Sequence, residues 1–328
     1  MLANSTASFY TGVRAPEVED LFDRVLPQMR EEILSCAIPR LTGIWLGGGY
    51  GRGEGGVCRG TDGRLGPYND IDFFVFMEDA TEVEKTDCAS RLEPIARRYE
   101  KVFDVDVDFC RPRNPSDFKK DEDRLMIQEL KRCHVALIGG EGLLNHVKAL
   151  EPNELPRMEA LRLLMNRGMG LIFAALRVGS LKTQGDVNFF LRNLNKAILG
   201  AGDAQLIARH EYAWRIGDRA KRLGDARYDA AVDFKFRPRM ELPKDVVPTW
   251  KSARDYWFAG VEKVGLDTSR TLRQAARWVV RRHTFGPIAS FGQDCTVRVL
   301  RQVHGMLEQD LDKIVLPDAL EKDWMCFN

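Results

Sequence analysis

Gly47-Gly48-Gly49-Tyr50-Gly51-Arg52-Gly53-Glu54-Gly55-Gly56 precedes two acidic stretches, Asp70-Ile71-Asp72-Phe73-Phe74-Val75-Phe76 and Val105-Asp106-Val107-Asp108-Phe109. Residues i and i+2 of a strand point to the same face. Asp70 and Asp72 therefore project side by side, and so do Asp106 and Asp108. Carboxylates that close repel one another and resist ionising. A divalent cation removes that penalty, and hard cations such as magnesium prefer carboxylate and phosphate oxygens. A glycine turn beside such a cluster offers backbone N–H groups to a phosphate chain. Together these parts predict metal-assisted transfer of a nucleotidyl group.

Two familiar phosphate-binding patterns fit poorly. Gly51-x-Gly53-x-x-Gly56 matches a dinucleotide fingerprint in spacing only, because that fingerprint needs a helix to begin on its glycines. The residues that follow, Val57-Cys58-Arg59-Gly60-Thr61-Asp62-Gly63, are a poor helix. A Walker-A loop needs Gly-Lys-Ser/Thr, which is missing here. The acids read more firmly. Phe73-Phe74-Val75-Phe76 is apolar on both faces, so its strand is central and buried, and carboxylates at the end of a buried strand are costly unless paired or metal-bound. On the third strand, placed over 103–110, Asp104, Asp106 and Asp108 share one face. Asp108 is favoured as the third carboxylate, with Asp106 close behind.

Outward from this centre, Pro16 and the apolar positions Val18, Leu21, Phe22, Val25, Leu26, Met29 and Ile33 predict a helix over 16–35. A buried strand is expected over 41–46. Ten of the 21 residues from Gly47 to Pro67 are glycine, which predicts turn and loop. Strands follow over 69–77 and 103–110, with a helix between them over 81–102. Its expected inner stripe is Val83, Ala89, Leu92, Ile95 and Ala96, and Pro94 should kink or split it. A charged helix over 121–132 and an edge strand over 134–138 complete this part. From Pro156 onward helical patterns dominate. One carries Leu161, Leu164, Met165, Met169, Ile172, Phe173 and Leu176. A second starts near Asp186 as N-cap, a third at Asp203, and others cover 270–282 and 294–311, with 234–248 as an irregular connector. The expected class is α+β: a small mixed-sheet domain over 1–145, then an all-helical domain over 146–328.

A length of 328 residues suits two domains. The formal net charge of +1 makes no global demand for nucleic acid or a membrane surface. No apolar run approaches the roughly 20 residues that span a bilayer, and the N-terminus lacks the basic and apolar regions of a secretory signal. The seven cysteines are dispersed, without Cys-x-x-Cys. They argue for reduced thiols and a cytoplasmic location, not for a disulfide framework or zinc site. His134, His146, His210 and His304 lack metal-ligand spacing.

The ordered combination resembles the nucleotidyltransferase superfamily that includes DNA polymerase beta, poly(A) polymerases, tRNA CCA-adding enzymes and aminoglycoside adenylyltransferases. That pattern is a strand, Gly-Gly/Ser, Asp-x-Asp on a second strand and a third carboxylate on a later one. Gly48-Gly49, Asp70 and Asp72, and Asp108 or Asp106 match it, over residues 41 to 110, about a fifth of the chain. Two departures stand out. The stretch between Gly49 and Asp70 is longer than usual in the family, and position 49 is Gly where Ser is common. The resemblance implies a nucleotidyltransferase domain that uses two Mg2+ ions and ATP or another NTP. Asp70, Asp72 and Asp108 would hold metal. Gly48, Gly49, Tyr50 and Arg52 would lie against the nucleotide. The family's helical domain often supplies a basic residue to the triphosphate, and Lys196 is the candidate. Arg167, which interrupts an apolar stripe, reads as a buried ion-pair partner or a substrate contact, and Glu54 as a base or ion-pair partner.

The implied reaction moves an NMP, AMP from ATP in the first instance, to an acceptor hydroxyl with release of pyrophosphate. Near-neutral charge favours a small molecule or a protein as acceptor. An RNA end is the less favoured alternative, for which Arg277-Trp278-Val279-Val280-Arg281-Arg282-His283 and Lys235-Phe236-Arg237-Pro238-Arg239 mix basic and aromatic residues. A non-catalytic nucleotide-binding protein is a third reading.

Overall fold

The computed structural model describes residues 9–60, 63–265, 289–318 and 320–321. The chain divides into two compact units, one of residues 1–150 with Lys235–Arg239, the other of the remainder. The class is α+β, and among the described residues the strands are confined to the first unit.

The first unit begins with α1 (Pro16–Ser35), whose buried stripe is Val18, Phe22, Val25, Leu26, Met29 and Ile33. Proline suits its first position, where the N–H has no helical partner anyway. Strand β1 (Leu41–Leu46) follows, then a single turn, α2 (Gly48–Gly51). The stretch expected to be loop holds this turn and an antiparallel hairpin, β2 (Gly56–Arg59) with β3 (Leu65–Tyr68). That hairpin occupies the long interval before Asp70. Pro67 sits in β3, where a two-stranded ladder leaves one edge of each strand free of pairing.

Strand β4 (Ile71–Met77) leads into α3 (Glu82–Phe103) and then β5 (Val107–Phe109). Thr81 and Glu84 form a capping box that starts α3. Its inner face is Cys88, Leu92, Ile95, Ala96, Tyr99 and Phe103, whereas Val83 and Ala89, expected inside, are exposed. Pro94 leaves α3 continuous. It lies on the exposed face, where the carbonyl it deprives of a donor can meet water. The helix also outruns its expected end, closing at Asp104 with φ of 57°. The third strand is therefore three residues long, and Asp104 belongs to a helix cap.

After a 3-10 turn over Pro115–Asp121 come α4 (Leu125–Arg132) and β6 (Val135–Ile138). The sheet order is β5-β4-β1-β6, with β4 and β5 parallel and the other pairs antiparallel. The expected edge position of β6 is observed. Strand alternation divides the apolar residues between two faces. Ile44, Leu46, Ile71, Phe73 and Val75 join the core built on α1 and α3, while Trp45, Phe74 and Phe76 pack with Phe118, Ile127 and Leu130.

The second unit contains α5 (Arg157–Arg177), α6 (Gln184–Ala208), α7 (Ile216–Leu223), α8 (Ala226–Phe236, whose last two residues group with the first unit), α9 (Val246–Lys263) and α10 (Ala289–Leu307). Two expectations change here. The N-cap of α6 is Thr183, with Asp186 completing a capping box, and the helix runs unbroken past Asp203. No helix boundary forms there because Ala201, Gly202, Ala204 and Gln205 continue its buried stripe. The helix expected over 270–282, with its basic cluster, lies outside the described residues.

Candidate metal centre

The parallel pairing of β4 with β5 places Asp72 directly across from Asp108. Asp70, two residues before Asp72, lies on the same side of the chain. Carboxylate oxygens of Asp70, Asp72 and Asp108 can be chosen that all lie within 4.8 Å of one another. Asp70 and Asp72 are half-buried and Asp108 is exposed. By strand parity they project from the sheet face that carries Phe74 and Phe76, at the beginning of β4. Asn69 enters β4 in the left-handed region, with φ of 72°, and its side-chain amide donates to Asp70 Oδ1. Asn tolerates that conformation better than most residues.

Asp106 is not in the cluster. It precedes the ladder, and its carbonyl accepts the Ile71 N–H at 2.9 Å. Its charge still acts on the centre. Partial withdrawal from water raises the Asp108 carboxyl from its ordinary value although the residue reaches solvent, and Asp70, Asp106 and Glu100 push in the same direction. The half-buried Cys110 thiol is pushed up to about 12 by withdrawal from water and by the nearby Asp72 and Asp108. Its sulfur is not among the converging ligand atoms, which are carboxylate oxygens of Asp70, Asp72 and Asp108. Three converging carboxylates are a donor set that hard divalent cations prefer.

The glycine turn borders this cluster because of the β1–β4 register. Leu46 pairs with Phe73, and the Gly47 N–H donates to the Asp72 carbonyl at 2.9 Å. Gly48 then takes φ of +57°, and a Cβ there would collide with Asp72 Oδ2. Glycine at this position satisfies both the backbone and the close approach. The N–H groups of a helix's first turn have no partner within the helix, so those of Gly48 and Gly49 have no acceptor inside this turn.

The other expected contacts separate. Tyr50 is a core residue: its ring is stacked on Phe22 at 4.9 Å between centroids. Its hydroxyl lies 2.8 Å from the Gly56 carbonyl and 2.9 Å from that of Tyr68, and accepts the Tyr68 N–H at 2.6 Å. The side chain ties the hairpin to the turn. Arg52 donates to Glu129 Oε2 at 2.8 Å and lies 3.7 Å from Glu54 Oε2. Glu54 is itself buried and accepts from Lys235 at 3.2 Å, so it is an ion-pair partner and not a free base. Glu129 is not singled out in the sequence, and Lys235 reads there only as part of a basic and aromatic segment, not as a partner of Glu54. Lys235 is 181 residues from Glu54, and no local pattern signals such a contact. Lys196 and Arg167 lie on α6 and α5 of the second unit, at half-buried positions.

No family model matches the chain, and no curated protein matches it.

Proposed function

We propose that the chain is a divalent-metal-dependent nucleotidyltransferase. It would move an NMP from an NTP, ATP in the first instance, to a hydroxyl of a small molecule or a protein. The observation that carries this reading is the convergence of Asp70, Asp72 and Asp108 on two adjacent parallel strands, with Gly48 against Asp72. The order of these parts along the chain, and the resemblance they make, add to it.

Asp70 and Asp72 would hold the cation, with Asp108 completing the set. A bound Mg2+, or a pair, would offset triphosphate charge and steady the pyrophosphate leaving group. The chain's own residues would do the rest by positioning. The N–H groups of Gly48 and Gly49 would receive phosphate oxygens. Asp108, the most exposed of the three acids, would face the acceptor and take its hydroxyl proton.

Thermal unfolding with each of the four NTPs as non-hydrolysable analogues, with and without Mg2+, tests this. Ligand at about 100 times its dissociation constant adds roughly 2.7 kcal/mol. The expected result is a Mg2+-dependent rise in Tm with at least one analogue, lost in Asp70→Asn; the corresponding natural NTP, labelled at the α-phosphate, should then pass its label to an acceptor with release of pyrophosphate. Binding without transfer to any acceptor would favour a nucleotide-binding role. No shift with any analogue would remove the nucleotide from the reading.

A further inference from the structure

The glycine turn is held from two directions by segments far from it in sequence. On one side, the Gly12 N–H donates to the Gly55 carbonyl at 2.9 Å and the Gly55 N–H donates to the Tyr10 carbonyl at 3.1 Å. On the other, the Lys235 carbonyl packs so closely on Gly56 that a Cβ there would collide with it, and the Phe236 ring covers Gly12 in the same way. Gly55 and Gly56 are thus gripped between residues 10–12 and residues 235–236, all within the first unit.

A charge relay reinforces the grip. Glu54 is only 5% exposed. A carboxylate so buried needs compensation. Lys235 Nζ supplies it at 3.2 Å, and Arg52 Nε approaches the same oxygen at 3.7 Å. Arg52 is in turn bound to Glu129 of α4 at 2.8 Å. The Glu54 N–H donates to the Gly49 carbonyl at 2.8 Å. The anchored residue and Gly49 of the turn therefore share a hydrogen bond.

We propose that Lys235 is a positioning residue of the glycine turn. Through the buried Glu54 carboxylate it holds Arg52, and through the Glu54 N–H it steadies the Gly49 backbone next to Gly48, so that the segment Lys235–Arg239 fixes the shape of the turn from outside the sequence that forms it. The clamp itself is a property of the fold; its consequence for nucleotide rests on the function proposed above. An exposed Lys–Glu pair would contribute little. The burial of Glu54 is what makes this pair matter, because loss of Lys235 leaves a buried charge short of a partner.

Amide hydrogen exchange of the full-length wild type, Lys235→Met and Lys235→Arg decides the matter. Circular dichroism is used to check that each variant is folded. In Lys235→Met the amides of Gly51, Glu54 and Gly55 should exchange roughly tenfold faster, with those of α5 unchanged. Lys235→Arg should restore protection. The Mg2+-dependent affinity for a non-hydrolysable ATP analogue should fall by a similar factor in the first variant and recover in the second. Unchanged exchange in Lys235→Met would overturn the proposal. Equal acceleration in both variants would also overturn it, since packing and not charge would then be the cause. Faster exchange in Lys235→Met with rescue by Arg, in a wild type that binds no nucleotide, would remove the nucleotidyl-transfer reading and leave the clamp standing.

Discussion

Asp108 bears its charge against burial and three neighbouring acids. A raised carboxylate pKa means that the folded chain holds the proton more tightly than the unfolded one, so ionisation costs stability as pH rises through that value. Asp108→Asn should therefore leave the metal-free protein at least as stable as wild type at pH 7, while abolishing the rise in Tm that Mg2+ produces. Thermal unfolding with EDTA and with Mg2+ checks both halves. By the same sign, Mg2+ affinity of the wild type should weaken as pH falls through the raised value, because the cation competes with a proton. Gly48→Ala meets a different obstacle. Its left-handed backbone costs a side-chain-bearing residue about 1–2 kcal/mol, and its Cβ would displace the Asp72 carboxylate. Urea unfolding should report the first loss and Mg2+ titration the second. His134 gives the acid limb. It stacks on Trp45 at 3.7 Å, and burial lowers its pKa. Below about pH 6.5 the unfolded chain takes up this proton first and stability falls, so His134→Phe should flatten the decline as pH drops below that point. At this scale the period of two made Asp70 and Asp72 legible in the sequence. The choice of Asp108 over Asp106 was not, because it depends on where α3 stops. Asp104, capping that helix in a left-handed turn, delays the strand to Val107 and leaves Asp106 outside the ladder.

Among the elements, α1 and β1 fall where their patterns place them, because a stripe at helical spacing and a short glycine-bounded apolar run admit few other readings. The hairpin of β2 and β3 escaped. Glycine content reads locally as loop, yet Val57 and Tyr68 are buried and Tyr50 ties both strands to the turn with one hydroxyl. Pairing with a distant partner overrides a weak local preference. The same competition decides Pro94. A proline within a helix interior is about 3 kcal/mol worse than alanine, but the inner face of α3 packs against the sheet and keeps the helix whole. Pro94→Ala should then stabilise the first unit by roughly 2 kcal/mol, the difference being reduced by the greater freedom of the unfolded alanine chain. Thr81→Ala, which removes the capping box, should cost about 1 kcal/mol. Urea midpoints of the two variants should move in opposite directions.

At the level of the molecule, a net charge of +1 spread over 328 residues gives no strong field to hold a polyanion. Binding to single-stranded RNA should be weak and change little between 50 and 200 mM salt in a mobility-shift titration; a steep loss would make an RNA end the favoured acceptor. The change from mixed α/β to helical patterning was visible in the sequence, because the hydrophobic period itself changes. The return of Lys235–Arg239 to the first unit was not, since nothing in a basic pentapeptide marks its destination. This return makes each unit discontinuous along the chain. A free peptide of five residues would dock on the turn feebly, since it would surrender its translational freedom to do so. Held by chain at both ends, it is instead presented at the millimolar effective concentration typical of short tethers. A protease that nicked the chain on both sides of it would convert an internal clasp into a dissociable cofactor-like peptide, and the turn's order would then depend on dilution.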